Sequence, residues 1–296
     1  MQPAAAPHQA QDLSVTLPGG RRLFYHEVGD AGGRPAFLFH GLPGSRLQRH
    51  PDDAVAARLG LRLIVPDRPG CGLSDPAPRR RVADWPADLL ALADALGLDR
   101  FAVGGWSGGA PYACAVAAAL PGRVTCLRLV SPMAPLDRPG ALDDAPDFAR
   151  RGLKLVQSAP FLVGPTVSAW HRSMLRDPDQ FARTVSARLS RSDRALFAQP
   201  DLRDLFTRIV LDATRQGPQG LATELKLLAS PWGFDLAQVR APTRIWHGDD
   251  DRVLPASMAR RLADAIPGAA LEIVAGGGHF VAFEIWEDLL TSLGGP

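Results

Sequence analysis

The sequence predicts an α/β fold: a mostly parallel, eight-stranded sheet with helices on both faces, interrupted once by a helical insertion. Three observations carry this. From about residue 36, short apolar runs alternate with segments of helical period, the pattern of parallel strands covered on both sides. Between Met133 and Ser230 no strand-like run occurs. From Thr243 the alternation resumes, so the chain returns to the same sheet.

The elements follow in order. Leu13–Leu17 and Arg22–Val28 alternate apolar and polar residues around Pro18-Gly19-Gly20, a hairpin signal. Ala36–His40 is a continuous apolar strand entering a glycine-rich loop. Pro51–Leu59 reads as a helix, Arg62–Val65 as a strand, and Trp85–Leu96 as a helix stopped by Gly97. Phe101–Trp106, Gly108–Ala119 and Thr125–Val130 give strand, helix, strand. Within the insertion, helices are expected over Asp144–Gln157, Pro165–Arg176, Asp179–Ser190, Leu202–Thr214 and Leu221–Ala229, punctuated by prolines. Thr243–His247, Pro255–Ala265, Leu271–Val274 and Phe280–Leu293 complete the pattern. The domain organisation is therefore a core over 12–132 and 231–296, an insertion over 133–230, and a disordered tail over 1–11.

Composition narrows the function classes. In 296 residues, 46% are apolar and 22% charged, the balance of a soluble globular chain. Net charge is +2 with both signs interspersed and no basic stripe, which argues against nucleic acid as a partner. No apolar stretch approaches a bilayer span, and the N-terminus lacks the charge and apolar run of a secretory signal. Cys71, Cys114 and Cys126 are odd in number and widely spaced, fitting neither a disulfide framework nor a zinc pattern. Buried free thiols in a cytoplasmic protein are expected, with no metal or organic cofactor.

The chemistry-bearing motif is Gly105-Trp106-Ser107-Gly108-Gly109, a G-x-S-x-G run between a strand and a helix. A sharp turn there lifts the serine hydroxyl above the carboxyl ends of the strands and needs small residues two before and two after it. A serine hydroxyl is a weak nucleophile at neutral pH and requires a base, and the base requires an orienting group. Among the histidines, His279 in Gly276-Gly277-Gly278-His279-Phe280 leaves the carboxyl end of the last strand, where ligand chemistry occurs in such sheets. His26 and His247 lie inside strands and read as structural. The acid belongs on another loop of the same edge, and Asp249, Asp250 and Asp251 follow the seventh strand; spacing alone does not choose among them. His40-Gly41-Leu42-Pro43-Gly44 leaves the third strand and is placed to supply one oxyanion donor, the amide of Leu42, with the amide of Gly108 as the other.

These motifs, together with Asp67-Arg68-Pro69-Gly70-Cys71-Gly72-Leu73-Ser74, resemble the α/β-hydrolase superfamily over roughly residues 13–132 and 231–293. The resemblance implies the α/β-hydrolase fold with a helical cap that covers the pocket. The acid loop of that family reads G-x-x-D-x-x-x-P; Gly248 and Pro255 bracket Asp251 and select it over its two neighbours. By resemblance the 67–74 loop is structural and lines the pocket, and His40, Gly41, Trp106, Met133 and Phe280 are expected to contact substrate. Trp170, Phe161, Met174, Phe181, Phe197 and Phe206 of the insertion have helical spacing and are expected to be mostly core of the cap.

The expected activity is hydrolysis of a small ester or lactone through an acyl-enzyme on Ser107, with a small molecule as the only partner and a monomer or homodimer as the assembly. A proline iminopeptidase-like aminopeptidase, a carbon–carbon bond hydrolase, an enol-lactonase, an acyltransferase and a perhydrolase would use the same apparatus. Asp143, Asp144 and Asp147 are the acidic groups an aminopeptidase would require. From another class, a small-ligand receptor would retain the triad and signal through its cap.

Overall fold

The computed structural model describes residues 11–138 and 140–295. All but Gln11 of the expected N-terminal tail lies outside the described residues, as does Pro139. The sheet strands are β1 (Leu13–Thr16), β2 (Arg22–Gly29), β3 (Arg34–Phe39), β4 (Leu61–Pro66), β5 (Phe101–Trp106), β6 (Val124–Val130), β7 (Thr243–Gly248) and β8 (Ala270–Val274). They form one eight-stranded sheet in the order β1-β2-β4-β3-β5-β6-β7-β8. Only β2 runs against the rest: it pairs antiparallel with both β1 and β4, and every later pairing is parallel. The expected fold class is thus observed, including the opening hairpin.

Strand burial explains the sequence pattern. β5 is buried at every position and β3 at its last four, because helices cover both faces of the central strands. β1 and β8 alternate or stay half-exposed because they are the edges. Helices α1 (Ala54–Arg58) and α11 (Trp286–Leu293) close one face over Leu38, Val65, Trp106 and Trp246. Helices α2 (Trp85–Ala95), α3 (Ala110–Ala119) and α10 (Ala256–Ala265) close the other over Phe37, Phe39, Phe101 and Ile245. The α3 helix is alanine-rich and buried from Ala110 to Ala117, so it lies flush on the central strands. Several expected helices begin later than read, among them α1 at Ala54 rather than Pro51, α3 at Ala110 rather than Gly108 and α11 at Trp286 rather than Phe280. Ser107–Gly109 forms a 3-10 turn before α3, and Val281–Phe283 another before α11. At Ser107 the chain turns sharply off the end of β5 before a regular helix is possible.

Between β6 and β7 lie six helices: α4 (Asp147–Ser158), α5 (Pro160–Arg176), α6 (Pro178–Ser186), α7 (Arg191–Ala198), α8 (Pro200–Ala213) and α9 (Gln219–Leu228). The sequence reading missed α7 and ended its predecessor four residues late, at Ser190 rather than Ser186. Ser190 is instead the N-cap of α7, its hydroxyl accepting from the amide of Asp193. Pro165 lies within α5, which begins at Pro160, so the proline does not mark that helix's start. α4, α5 and α9 pack on one another through Val156, Val163, Val167, Leu221 and Ala222.

Candidate active site

Ser107 stands at the carboxyl end of β5 with φ 54°, a left-handed backbone rarely tolerated by a residue with a Cβ. Its neighbours show why the turn needs glycine. A Cβ on Gly105 would meet Ala110 Cα and Ala113 Cβ at 2.8 Å, and one on Gly109 would run into the carbonyls of Phe39 and His40. The close approach of β3, β5 and α3 thus dictates small residues on both sides of the serine.

Three side chains from three loops form one hydrogen-bonded line. Ser107 Oγ lies 3.0 Å from His279 Nε2, and His279 Nδ1 lies 2.8 Å from Asp251 Oδ2. All three residues are buried. The other Asp251 oxygen accepts from the amides of Val253 and Leu254, at 2.8 and 2.9 Å, so the carboxylate is held from both ends. Of the neighbouring acids, Asp249 accepts from the Gly276 amide and Asp250 pairs with Arg252. Burial pushes the Asp251 carboxyl up, but the charge of His279 and hydrogen bonds from His247 and His279 outweigh it and hold Asp251 well below the usual carboxylate range. Burial alone would push His279 down; the Asp251 charge and hydrogen bond, with Asp193 adding to them, raise it above the ordinary imidazole value.

His247, read from sequence as structural, touches this line. Its Nε2 lies 3.2 Å from Asp251 Oδ2 and 3.0 Å from the Leu254 carbonyl. Both partners are acceptors, so Nε2 carries the proton. A histidine four residues before an acid was the available signal, but inside a strand that spacing has no fixed meaning.

Leu42 and Gly108 line the same cavity as Ser107. A Cβ on Gly108 would lie 3.1 Å from Leu42 Cβ and 3.6 Å from the Leu42 nitrogen, which places the two loops side by side. Gly41 donates its amide to Gln48 Oε1 at 2.9 Å, tying down the loop that carries Leu42. Behind it, Arg68 donates to the carbonyls of His40 at 2.5 Å and Gly41 at 3.1 Å. The Arg68 guanidinium is itself held by Glu224 of α9 at 2.7 Å, and Glu224 also takes Arg80 at 2.5 Å and Tyr112 at 2.8 Å. Arg68, Tyr112 and Glu224 are buried, so a carboxylate of the helical insertion backs the loop that carries Leu42 through one arginine.

Two cavities open on Ser107. One, of about 240 Å³, is lined by Gly41, Trp106, Phe181, Arg188, Phe197, Phe206, His279 and Phe280 among others. The second, of about 340 Å³, is apolar and lined by Met133, Leu153, Val156, Val163, Val167, Leu221 and Leu225 among others. Leu42, Pro43, Trp170 and Val253 border both. Gly41, Trp106, Met133 and Phe280 therefore face the space beside the serine. His40 does not. It is fully buried behind the loop, donating from Nδ1 to the Gly41 carbonyl and accepting the Arg68 amide at Nε2. Burial and the nearby Arg68 charge keep it well below the ordinary imidazole value, and its role is to brace the loop.

The 67–74 loop also lines neither cavity. Asp67 there accepts from the amides of Arg46 and Leu73, which makes the loop a structural tie. Conversely, four of the six insertion residues expected to be mostly core line a cavity: Trp170, Phe181, Phe197 and Phe206. Met174 is core, and Phe161 is 74% exposed. Helical spacing identifies a buried face but does not say whether that face meets protein or an empty cavity. Among the described residues, no group of three or more His, Cys, Asp and Glu side chains is placed to hold a metal ion. No helix among them is long and apolar enough to cross a membrane.

Comparison with known proteins agrees with this architecture. A family model for the alpha/beta hydrolase fold matches residues 35–284. The chain belongs to the α/β-hydrolase fold family. This α/β-hydrolase chain is 30% identical over 274 residues to a 2-hydroxy-6-oxononadienedioate/2-hydroxy-6-oxononatrienedioate hydrolase of Pseudomonas putida, covering 89% of this chain and 87% of that one. It is 27% identical to a non-heme chloroperoxidase of Streptomyces lividans, covering 90% and 92%. Among solved structures, it superposes on a thermophilic esterase from Thermogutta terrifontis with a TM-score of 0.69, at 25% identity and 96% coverage of both chains.

Proposed function

We propose that this α/β-hydrolase chain is a serine hydrolase that cleaves a small, largely apolar ester or lactone through an acyl-enzyme. The observation that carries the reading is the continuous Ser107–His279–Asp251 line, at 3.0 and 2.8 Å, with the serine opening onto both cavities. In the first half-reaction Ser107 Oγ bonds to the substrate carbonyl carbon while its proton passes to His279 Nε2. The amides of Leu42 and Gly108 receive the charge on the carbonyl oxygen, and Asp251 steadies the imidazolium. Collapse of the tetrahedral species breaks the carbonyl–oxygen bond, and His279 returns the proton to the departing alkoxide. Water then repeats the sequence in reverse, releasing the acid and restoring Ser107.

The cavities support the substrate class. Their ionisable lining groups are Arg188, Arg252 and His279, and no acidic side chain lines either one. A substrate amine would find no anion there, which disfavours an aminopeptidase; Asp143, Asp144 and Asp147 are exposed and line neither cavity. With an apolar lobe on one side of the serine and a mixed lobe on the other, acyl and alcohol portions fit on opposite sides, beneath helices that act as a cap. A second reading is favoured by the relatives: the Pseudomonas putida relative is named a hydrolase of a 2-hydroxy-6-oxo-dienedioate, and hydrolysis beside a chain ketone would break a carbon–carbon bond with the same serine and histidine.

The test is Ser107→Ala against p-nitrophenyl esters of increasing acyl length and against a 2-hydroxy-6-oxo-dienoate. The variant is expected to lose at least about 10³-fold in kcat. Full residual turnover would sink the reading, and multiple turnovers by the wild type exclude a receptor that reacts once.

A further inference from the structure

One carboxylate of the helical insertion reaches the catalytic histidine by a route the triad does not use. Asp193, in the first turn of α7, is fully buried. Its Oδ2 accepts from the amide of His279 and its Oδ1 from the amide of Phe280, both at 2.9 Å. The two oxygens thus grip two successive peptide groups of the loop that carries the imidazole. The grip is built from both sides. Ser190 Oγ accepts the Asp193 amide at 3.0 Å, setting the turn from which the carboxylate projects. On the opposite side, Gly278 lets it approach: a Cβ there would run into the Ser190 hydroxyl and the Asp193 carboxylate.

A carboxylate accepting two backbone amides is a charge-assisted, two-point contact, and it leaves the loop little freedom to slide. The imidazole has to stay within hydrogen-bond reach of Ser107 on one side and Asp251 on the other. We propose that Asp193 is a positioning residue for His279, so that the line from Ser107 to Asp251 is complete only while the helical insertion is seated on the core. This rests on the serine-hydrolase reading above.

Asp193 also adds negative charge beside the loop. The groups around His279 are Asp251 on the β7–α10 loop, with His247 behind it on β7, and Asp193 on α7; Glu284, before α11, is raised by burial and by Asp193. Arg188 and Arg252 line the same cavity. The Asp193 charge acts with Asp251 to favour imidazolium. Neutralising it lowers the pH at which His279 loses its proton.

The experiment measures the rate at which a fluorophosphonate labels Ser107 between pH 5 and 9, for wild type, Asp193→Asn, Asp193→Ala and Ser190→Ala, with thermal melting to confirm folding. kcat and KM on the best p-nitrophenyl ester accompany it. Asp193→Asn is expected to label about ten-fold more slowly or worse at its plateau, since small misplacements of reacting groups are costly. Its acid limb should move to lower pH, and kcat should fall far more than KM. Ser190→Ala, which keeps the charge and loosens the turn, should label more slowly with its acid limb unmoved. Folded Asp193 variants that label like wild type, or more slowly with an unmoved acid limb, overturn the proposal. Should both Asp193 variants fail to fold, Ser190→Ala decides: labelling at the wild-type rate overturns it, and slower labelling upholds it. A wild-type protein that takes no label sinks the hydrolase reading and this inference with it, whereas labelled wild type with indifferent variants sinks this inference alone.

Discussion

Two buried carboxylates pass from the helical insertion into the core, and they are neutralised in different ways. Glu224 of α9 meets two guanidinium groups and a phenol, and through Arg68 it backs the loop that carries Leu42. Asp193 of α7 meets two backbone amides and holds the histidine loop directly. A carboxylate answered by full charges is tied mainly to stability, because removing it strands buried cations. One answered by amide dipoles leaves only unsatisfied N–H groups when removed, so its larger consequence falls on the position of the loop it holds. Under the proposed function, the insertion is therefore fastened to both halves of the reaction centre, by a strong tie on the oxyanion side and a directional one on the histidine side.

The largest effect expected from this contrast is on Glu224. Glu224→Gln should lower folding stability by about 3–5 kcal/mol in chemical denaturation, since it breaks a buried pair and leaves Arg68 and Arg80 uncompensated. A loss under about 1 kcal/mol would break the comparison, because that is the size of a surface pair. The pH dependence sharpens it. Burial raises the Glu224 carboxyl, but Arg68 and Arg80 outweigh burial and bring it down to about 2 from an ordinary 4.5. A depressed carboxyl stabilises the fold above its unfolded value and loses that contribution as pH falls toward the folded one. Roughly 3 kcal/mol of the difference between wild type and Glu224→Gln should therefore vanish between pH 5 and pH 2. A gap that stays constant over that range would mean the charge is not what Glu224 contributes.

Asp193→Asn should cost less, about 1–3 kcal/mol, the penalty for amides left without full partners. Its effect on turnover should nevertheless exceed that of Glu224→Gln when each is measured well below its melting temperature. The reverse ranking would show that the oxyanion tie, not the histidine tie, limits the chemistry. The smallest effect belongs to an exposed pair such as Arg244–Glu272, 2.7 Å apart between β7 and the edge strand β8 with both side chains about half exposed. Glu272→Ala should change stability by less than about 1 kcal/mol and leave activity unaltered, giving the baseline against which the two buried carboxylates are read.

Much of this architecture is written locally in the chain. The Ser107 turn announces itself because the chain must reverse within a few residues, so its glycines sit at fixed offsets from the serine. His279 and the Asp249–Asp251 run are legible because each follows a strand end, and strand ends share one edge of a parallel sheet; the family resemblance singled out Asp251. His40 was misplaced: the family resemblance put it against substrate, but its side chain turns back into the core to brace Gly41. Asp193 carried a local signal too. Ser190 and Asp193 have the spacing of a helix N-terminus, yet the Asp193 side chain leaves its own helix to bind a loop 86 residues away.

By itself, then, the sequence determined the sheet, the order of its strands, the serine and the histidine at its edge, and the run of three aspartates that holds the acid; the choice of Asp251 within that run came from the family resemblance. Those depend on periodicity and short-range turn geometry, which neighbours along the chain enforce. Tertiary packing alone decided how the insertion meets that edge: which aromatic residues face a cavity, which buried carboxylate finds arginines, and which finds amides. Such contacts join residues far apart in the chain, and no local pattern encodes the partner that burial will bring to a charged group.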